Sequence, residues 1–357
     1  MLSERIDKIE GKRVLIAPLN WGLGHATRSS AIIYQLLKSG KEVIIGSDGI
    51  VADYYKTEFP GIKQITIPGL TVKYSAGNSQ TGAMLRQVPK FLYQIWREHR
   101  KTAEIIEKNN IDTIISDNRF GMWNRKCKSI YITHQLMIKM PKHLHWAEKI
   151  MKCFHGWFYN KYDEIWVPDN AGKENLSGDL SHKYKSPKKC HFIGILSRFN
   201  YNNKVLSSLE NCPPFDETII ISGPEPHRTM MEYWAKTYDI EKNGNFENRL
   251  IICGKPDPDT DYRHSSKIEK TGERIFSTNH LSTPMMAHIL THSKKITCRS
   301  GYSTIMDLYS LGILQNKDVR ITLIPTPGQT EQEYLALHIK KNFDNDKGNR
   351  IQIIELT

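Results

Sequence analysis

No apolar run in the sequence approaches the ~18 residues that a membrane-spanning helix needs, so a helical membrane protein is excluded. The stretch Met1–Lys12 is charged and lacks an apolar centre, so no secretory signal is read. Cysteine is sparse. The six residues (127, 153, 190, 212, 253, 298) form no CxxC pair, which argues against a disulfide framework and against a Cys-rich zinc site. A cytoplasmic chain with free thiols is expected, with no bound metal and no cofactor. Acidic residues are the minority, 38 against 50 Lys and Arg, giving +12 with His neutral. Such a surface suits nucleic acid, an anionic membrane or phosphorylated ligands. The motifs GxxxxGKS/T, HExxH and GxSxG are absent, as are RNP and KH signatures, so no nucleic-acid partner is expected. Apolar residues at 39% and charged residues at 25% are ordinary for a globular chain, and 357 residues allow two domains.

Short apolar runs alternate with helical spacing. Arg13–Pro18 reads as a buried strand, and Ala26–Leu37 as a helix closed by Ser39-Gly40. Lys41–Gly46, Lys63–Ile67, Asp112–Ser116, Ser129–Thr133, Glu164–Val167 and His191–Gly194 read as further strands. Gly82–Lys108 reads as a helix interrupted near Pro89, and Lys173–Lys189 as a surface loop. The Asn/Ser-rich stretch ending in Pro213-Pro214 marks a linker. The pattern then restarts. Thr218–Ser222, Leu250–Cys253, Arg274–Phe276, Lys295–Cys298 and Arg320–Ile324 are strands. His227–Tyr238, Pro284–His292, Ser303–Leu311 and Thr330–Lys341 are helices. The expected architecture is α/β: two tandem Rossmann-like domains with a cleft between them, residues 1–196 and 213–357, joined by a linker over 197–212. Ligands of such sheets sit beyond the carboxyl ends of the strands.

The unusual residues fall in those positions. Asn20-Trp21-Gly22-Leu23-Gly24-His25 follows the first strand and opens a helix. Gly22 and Gly24 allow close backbone approach, and His25 at the helix mouth is placed to act as a general base. The dinucleotide fingerprint fails, because Thr27 stands where a third glycine is needed. The alternative is a helix-start histidine that caps or packs. Cys298–Asp307 follows another strand. Arg299, Ser300, Gly301 and Ser303 would put amides, hydroxyls and a guanidinium at a helix N-terminus, which is a diphosphate cradle; the alternative is an ordinary strand-to-helix turn. Pro325–Glu333 is a rigid loop whose amides and carboxylates suit sugar hydroxyls. Asp117 and His134, each at a strand end, are reserve bases. The acidic loop Asp257–Asp261 lacks Ca²⁺-loop spacing and reads as solvated.

Together these segments resemble the GT-B class of glycosyltransferases, nearest the branch with the peptidoglycan N-acetylglucosaminyltransferase and the diacylglycerol glycosyltransferases. Asn20–His25 resembles that branch's Gly-rich first loop with its histidine. Gly194–Arg198 is similar to its Gly-Asn-Pro-Val-Arg segment at the Gly and Arg only. Arg299–Asp307 is similar to its Arg-Ser-Gly-Ala-Leu-Thr-Val-Ser-Glu run, and Gln329–Ala336 to its Gln-Gln-Tyr-x-Asn-Ala helix start. The resemblance implies an acceptor-binding first domain and a nucleotide-sugar-binding second domain. Arg198, Gly223, Ser300, Gly301 and Ser303 would then hold the diphosphate, Asp307 the ribose, and Gln329, Glu331 and Gln332 the sugar. It also implies metal-independent transfer of a hexose or N-acetylhexosamine, UDP-linked, with inversion, to a hydroxyl of an acceptor not identified, such as a lipid or cell-envelope glycan. The sequence departs from the family at Trp21 and Leu23, at Pro224-Glu225-Pro226, and in lacking a long helix after Lys341.

Alternatives remain open. A sugar-nucleotide epimerase or hydrolase shares this architecture, and a non-catalytic relative would keep the cleft. Met84–Lys101 and Met137–Lys161 interleave aromatics with Lys, Arg and His, which suits a peripheral position on an anionic inner membrane face. The other reading packs their apolar sides on the sheet.

Overall fold

The computed structural model describes residues 2–69, 81–140, 142–201, 215–237, 248–260, 267–344 and 349–356, with backbone alone for 81–87, 142–143 and 145. The first half contains α1 (Leu2–Asp7), β1 (Arg13–Pro18), α2 (Leu23–Lys38), β2 (Glu42–Ser47), α3 (Gly49–Glu58), β3 (Lys63–Thr66), α4 (Thr81–Asn109) and β4 (Thr113–Asp117). It continues with β5 (Lys128–Ile132), α5 (Glu148–Tyr159), β6 (Glu164–Val167), α6 (Asp179–His182) and β7 (Cys190–Phe192). The second half contains β8 (Glu217–Ile220), α7 (His227–Thr237), β9 (Arg249–Ile252), β10 (Glu269–Lys270), β11 (Ile275–Thr278) and α8 (Thr283–His292). After these come β12 (Lys295–Cys298), α9 (Tyr302–Ser310), β13 (Arg320–Leu323), α10 (Thr330–Phe343) and β14 (Ile351–Ile353).

Each half forms one seven-stranded sheet, in the order β3-β2-β1-β4-β5-β6-β7 and β10-β11-β9-β8-β12-β13-β14. Every pairing is parallel except the short β10 against β11. The runs Val14-Leu15-Ile16-Ala17 and Ile114-Ile115 are wholly buried, as strands covered by helices on both faces must be. In each sheet the order reverses beside the first strand. The crevices therefore open beside β1 and β4 in one domain, and beside β8 and β12 in the other.

Several elements differ from expectation. Helix α2 starts at Leu23 rather than Ala26, which puts His25 inside its first turn; Gly22, at φ 110, makes the entry. Helix α4 runs through Pro89 without interruption. Pro89 itself is exposed. The Lys/Ser-rich stretch around 173–189 is not all surface loop: Leu176 and Leu180 are buried, and Asp179–His182 makes a helical turn. Helix α3 and strand β14 were not expected. Most of the 197–212 linker lies outside the described residues, as do Cys212, Tyr238 and Asp261.

Candidate active site

The carboxyl ends of β1 and β4 bring together the first functional group. Asp117, the last residue of β4, is fully buried. Asn118 follows at φ 59, a left-handed conformation that asparagine tolerates and that turns the chain away at once. Nδ1 of His25 lies 2.9 Å from Oδ1 of Asp117. Arg28, one turn along α2, donates Nε to Asp117 Oδ2 at 2.7 Å and Nη2 to Oδ1, while Ser29 Oγ donates to Oδ2 at 3.2 Å. Burial alone would raise the Asp117 carboxyl, but the Arg28 guanidinium and His25 outweigh it and hold it well below the usual carboxylate range. The His25 imidazole is pushed below its ordinary value, chiefly by burial, with Arg28 adding to the effect and Asp117 opposing it. Its side chain keeps 17% of its surface, so the ring is reached from the cleft. A neutral imidazole oriented by an ionised carboxylate is a proton acceptor at neutral pH.

His134, just past β5, is buried and carries the site to the second domain. Its Nδ1 lies 3.1 Å from Arg28 Nη1 and its Nε2 lies 2.6 Å from Glu331 Oε1. Gln135 Nε2 donates to the other Glu331 oxygen. The ring stacks on Tyr302, with centroids 4.3 Å apart and planes 3° from parallel. Burial would raise the Glu331 carboxyl, but His134 and Arg28 bring it below its ordinary value.

On the second domain, Gly301 caps α9, and a Cβ placed there would meet open space. Ser300 Oγ is spent on the Gln332 carbonyl at 2.8 Å, and Ser303 Oγ donates across the boundary to the Gly24 carbonyl at 2.7 Å. Gln332 is held by Thr326 and by Gln329, with Nε2 donating to Gln329 Oε1 at 2.7 Å. Arg299 is 1% exposed and makes no ion pair with a described residue. Its terminal nitrogens donate to the carbonyls of His227, Ile324 and Pro325, and its Nε has no partner. Burial without a counter-charge lowers this guanidinium to about 10. The open side of Gly223, at φ 103, faces that Nε at 3.8 Å. A buried cation of this kind lacks an anion, and the free amides at the start of α9 point to the same need.

The other donor-side candidates sit apart from this cradle. Arg198 is buried where the chain leaves the first domain, its Nε 3.8 Å from Asp307 Oδ2. Ser197 Oγ donates to Asp307 Oδ1 at 2.6 Å, and burial raises the Asp307 carboxyl despite Arg198. The sequence reading missed Arg28 and Gln135. Arg28 lies three residues beyond His25, a spacing that places two side chains on one helix face and that was available in the sequence.

No family model matches the sequence, and no curated protein matches it. Solved structures do resemble the fold. A kitacinnamycin glycotransferase is 14% identical, covering 97% of this chain and 87% of its own, with TM-score 0.57. The glycosyltransferase SnogD from Streptomyces nogalater is 10% identical over 97% and 88%, with TM-score 0.54. A putative UDP-N-acetylglucosamine 2-epimerase from Listeria monocytogenes is 12% identical over 93% and 89%, with TM-score 0.52. Likeness at this level of identity establishes the architecture: the chain has the GT-B fold, two Rossmann-like domains facing one another across a cleft.

Proposed function

We propose that the protein is a glycosyltransferase that moves a sugar from a nucleoside-diphosphate donor, UDP-linked, to an acceptor hydroxyl with inversion. The observation that carries this reading is the meeting of His25 and Asp117 with the Ser300–Ser303 helix start, the two loops touching at Ser303 and Gly24. His25 Nε2 takes the proton of the acceptor hydroxyl while Asp117 steadies the imidazolium that forms. The hydroxyl oxygen bonds to the anomeric carbon as the carbon–phosphate oxygen bond breaks. The departing nucleoside diphosphate is met by the amides at Gly301, the α9 dipole and the Arg299 cation, so no metal is required of the protein. Gln329, Glu331 and Gln332 lie beside this point and are the sugar contacts, and Asp307 is the ribose contact. The glycotransferase of kitacinnamycin and SnogD are relatives in fold whose names state this activity.

The acceptor belongs to an anionic bilayer. Helices α4 and α5 flank Phe120 on the acceptor domain. Leu92, Tyr93 and Trp96 of α4 are exposed, as are Ile150, Phe154 and Trp157 of α5 and, just before it, Trp146. Lys90, Arg97, Arg100, Lys101, Lys149 and Lys161 are exposed among them. Aromatics at the headgroup level with cations around them match anionic lipid. Among the described residues no helix is long and apolar enough to cross a membrane.

The epimerase neighbour favours a second reading, in which sugar nucleotide is consumed without an acceptor. Nucleotide release from UDP-sugars, measured with and without a lipid extract, separates the two. Release that requires the extract supports transfer, and release at full rate without it overturns transfer.

A further inference from the structure

We propose that Arg28 is the positioning residue of this site: one guanidinium fork holds Asp117 for His25 and sets the tautomer of His134, so the proton acceptor and the tie to the second domain are fixed by one side chain. The inference rests on the reading of His25 as base.

Arg28 is 3% exposed and each of its three guanidinium nitrogens has a partner. Nε and Nη2 take the two oxygens of Asp117, and Nη1 reaches His134 Nδ1. Arginine carries no acceptor and does not give up its proton, so it donates in each of these contacts. His134 Nδ1 must therefore be bare and its proton must sit on Nε2, where it is donated to Glu331.

His25 Nδ1 lies 2.9 Å from both Asp117 Oδ1 and Arg28 Nη2. One nitrogen cannot donate to the first and accept from the second. If Nδ1 were bare, its lone pair would face a carboxylate lone pair at 2.9 Å, which is repulsive. With the proton on Nδ1, His25 and Arg28 both donate to Oδ1, the Nδ1–Nη2 approach is a donor–donor contact that the two bonds to the ionised carboxylate outweigh, and Nε2 is left as the basic atom. Arg28 thus selects the competent tautomer by keeping Asp117 ionised and pinned. The groups facing this pair are Asp117 from β4, Tyr131 from β5, His134 beyond it, Tyr55 from α3, Tyr302 from α9 and Glu331 from α10. Arg28 is the cation among them, and its charge helps to keep the imidazole neutral.

The test reads the imidazoles directly, with no substrate present, so it is independent of whether transfer occurs. In the full-length protein with labelled histidine, nitrogen shifts should show His25 protonated at Nδ1 and His134 at Nε2. The reverse tautomer at either ring overturns the proposal. In Arg28→Gln the His25 midpoint should move up by about one unit, the scale set by a single neighbouring charge. In Arg28→Lys, which keeps the charge and loses the fork, the midpoint should stay near the wild-type value while His134 no longer shows one tautomer. A merely structural arginine would leave both midpoint and tautomers unchanged in any variant that folds, and that result also overturns the proposal. If Arg28→Gln fails to fold, the wild-type nitrogen shifts and the Lys variant decide.

Discussion

Ser303, in the first turn of α9, donates its hydroxyl to the backbone carbonyl of Gly24, in the first turn of α2, 2.7 Å away. The loop bearing His25 and the loop bearing Gly301 are thus in contact. A Cβ on Gly24 would stand 3.2 Å from that hydroxyl. Gly24→Val should wedge the loops apart and lower transfer on the order of 10²-fold, the scale of an ångström misplacement, with UDP affinity kept. Steady-state rates beside calorimetric UDP titration check this.

Gly301 offers a cleaner probe of the cradle. Its φ of −69° and ψ of 141° suit any residue, and a side chain there meets no protein atom. Gly301→Val should therefore melt at the wild-type temperature without ligand. UDP should stabilise the wild type by mass action and the variant not at all. Equal UDP-induced shifts would place the nucleotide elsewhere.

His25→Ala should lower transfer by ~10²–10⁴-fold, the usual worth of a general base. Donor affinity should survive, because the nucleotide contacts proposed above lie in the second domain. Rate and calorimetric affinity measured on one preparation test the split.

In the proposed mechanism His25 acts as the neutral imidazole, and its folded pKa lies below the ordinary value of about 6.5. The rate should rise with pH through a midpoint below 6.5 and be level from pH 7 upward. Stability has the same sign. His25 and Asp117 are both depressed by folding, so the unfolded chain binds more protons in acid. Their contribution is complete above the unfolded values and is lost as pH falls through the folded ones. Rate profiles and urea midpoints from pH 4 to 8 check this, and a rate midpoint at or above about 6.5 would assign the base to another group.

Vesicle binding should depend on the exposed aromatics. Trp146→Ser with Trp157→Ser should abolish sedimentation with anionic vesicles and leave the melting temperature unchanged, since both rings are more than half exposed. Neutral vesicles should retain neither protein. Undiminished sedimentation of the double variant would move the lipid contact off α5.

Most of the fold was legible because buried parallel strands carry unbroken runs such as Val14–Ala17, a signal local to the sequence. Strand β14 was not, because Ile351–Ile353 is too short to show a pattern and depends on β13 for its partner. Helix α3 is short, and its buried Val51, Tyr54 and Tyr55 are spaced by packing against α2. The site residues His25, Asp117 and His134 were visible as strand-end polar groups. Their mutual order was not, since His25 and Asp117 stand 92 positions apart and only the sheet brings them to 2.9 Å.

The bonds that join the domains have a consequence for motion. Tyr302 to the Pro168 carbonyl, Thr330 to the Lys139 carbonyl, the Asp179 amide to Tyr334 and Thr283 to Glu58 are single contacts of hydroxyl groups, each of 2.7 to 2.9 Å. Water can replace such a bond at a net cost of about 1 kcal/mol. The Glu331 bonds to His134 and Gln135 and the stack of His134 on Tyr302 join the halves as well, so parting them loses polar, stacked and apolar contacts together. A ligand that grips both halves shifts the balance toward the joined form by its differential affinity alone.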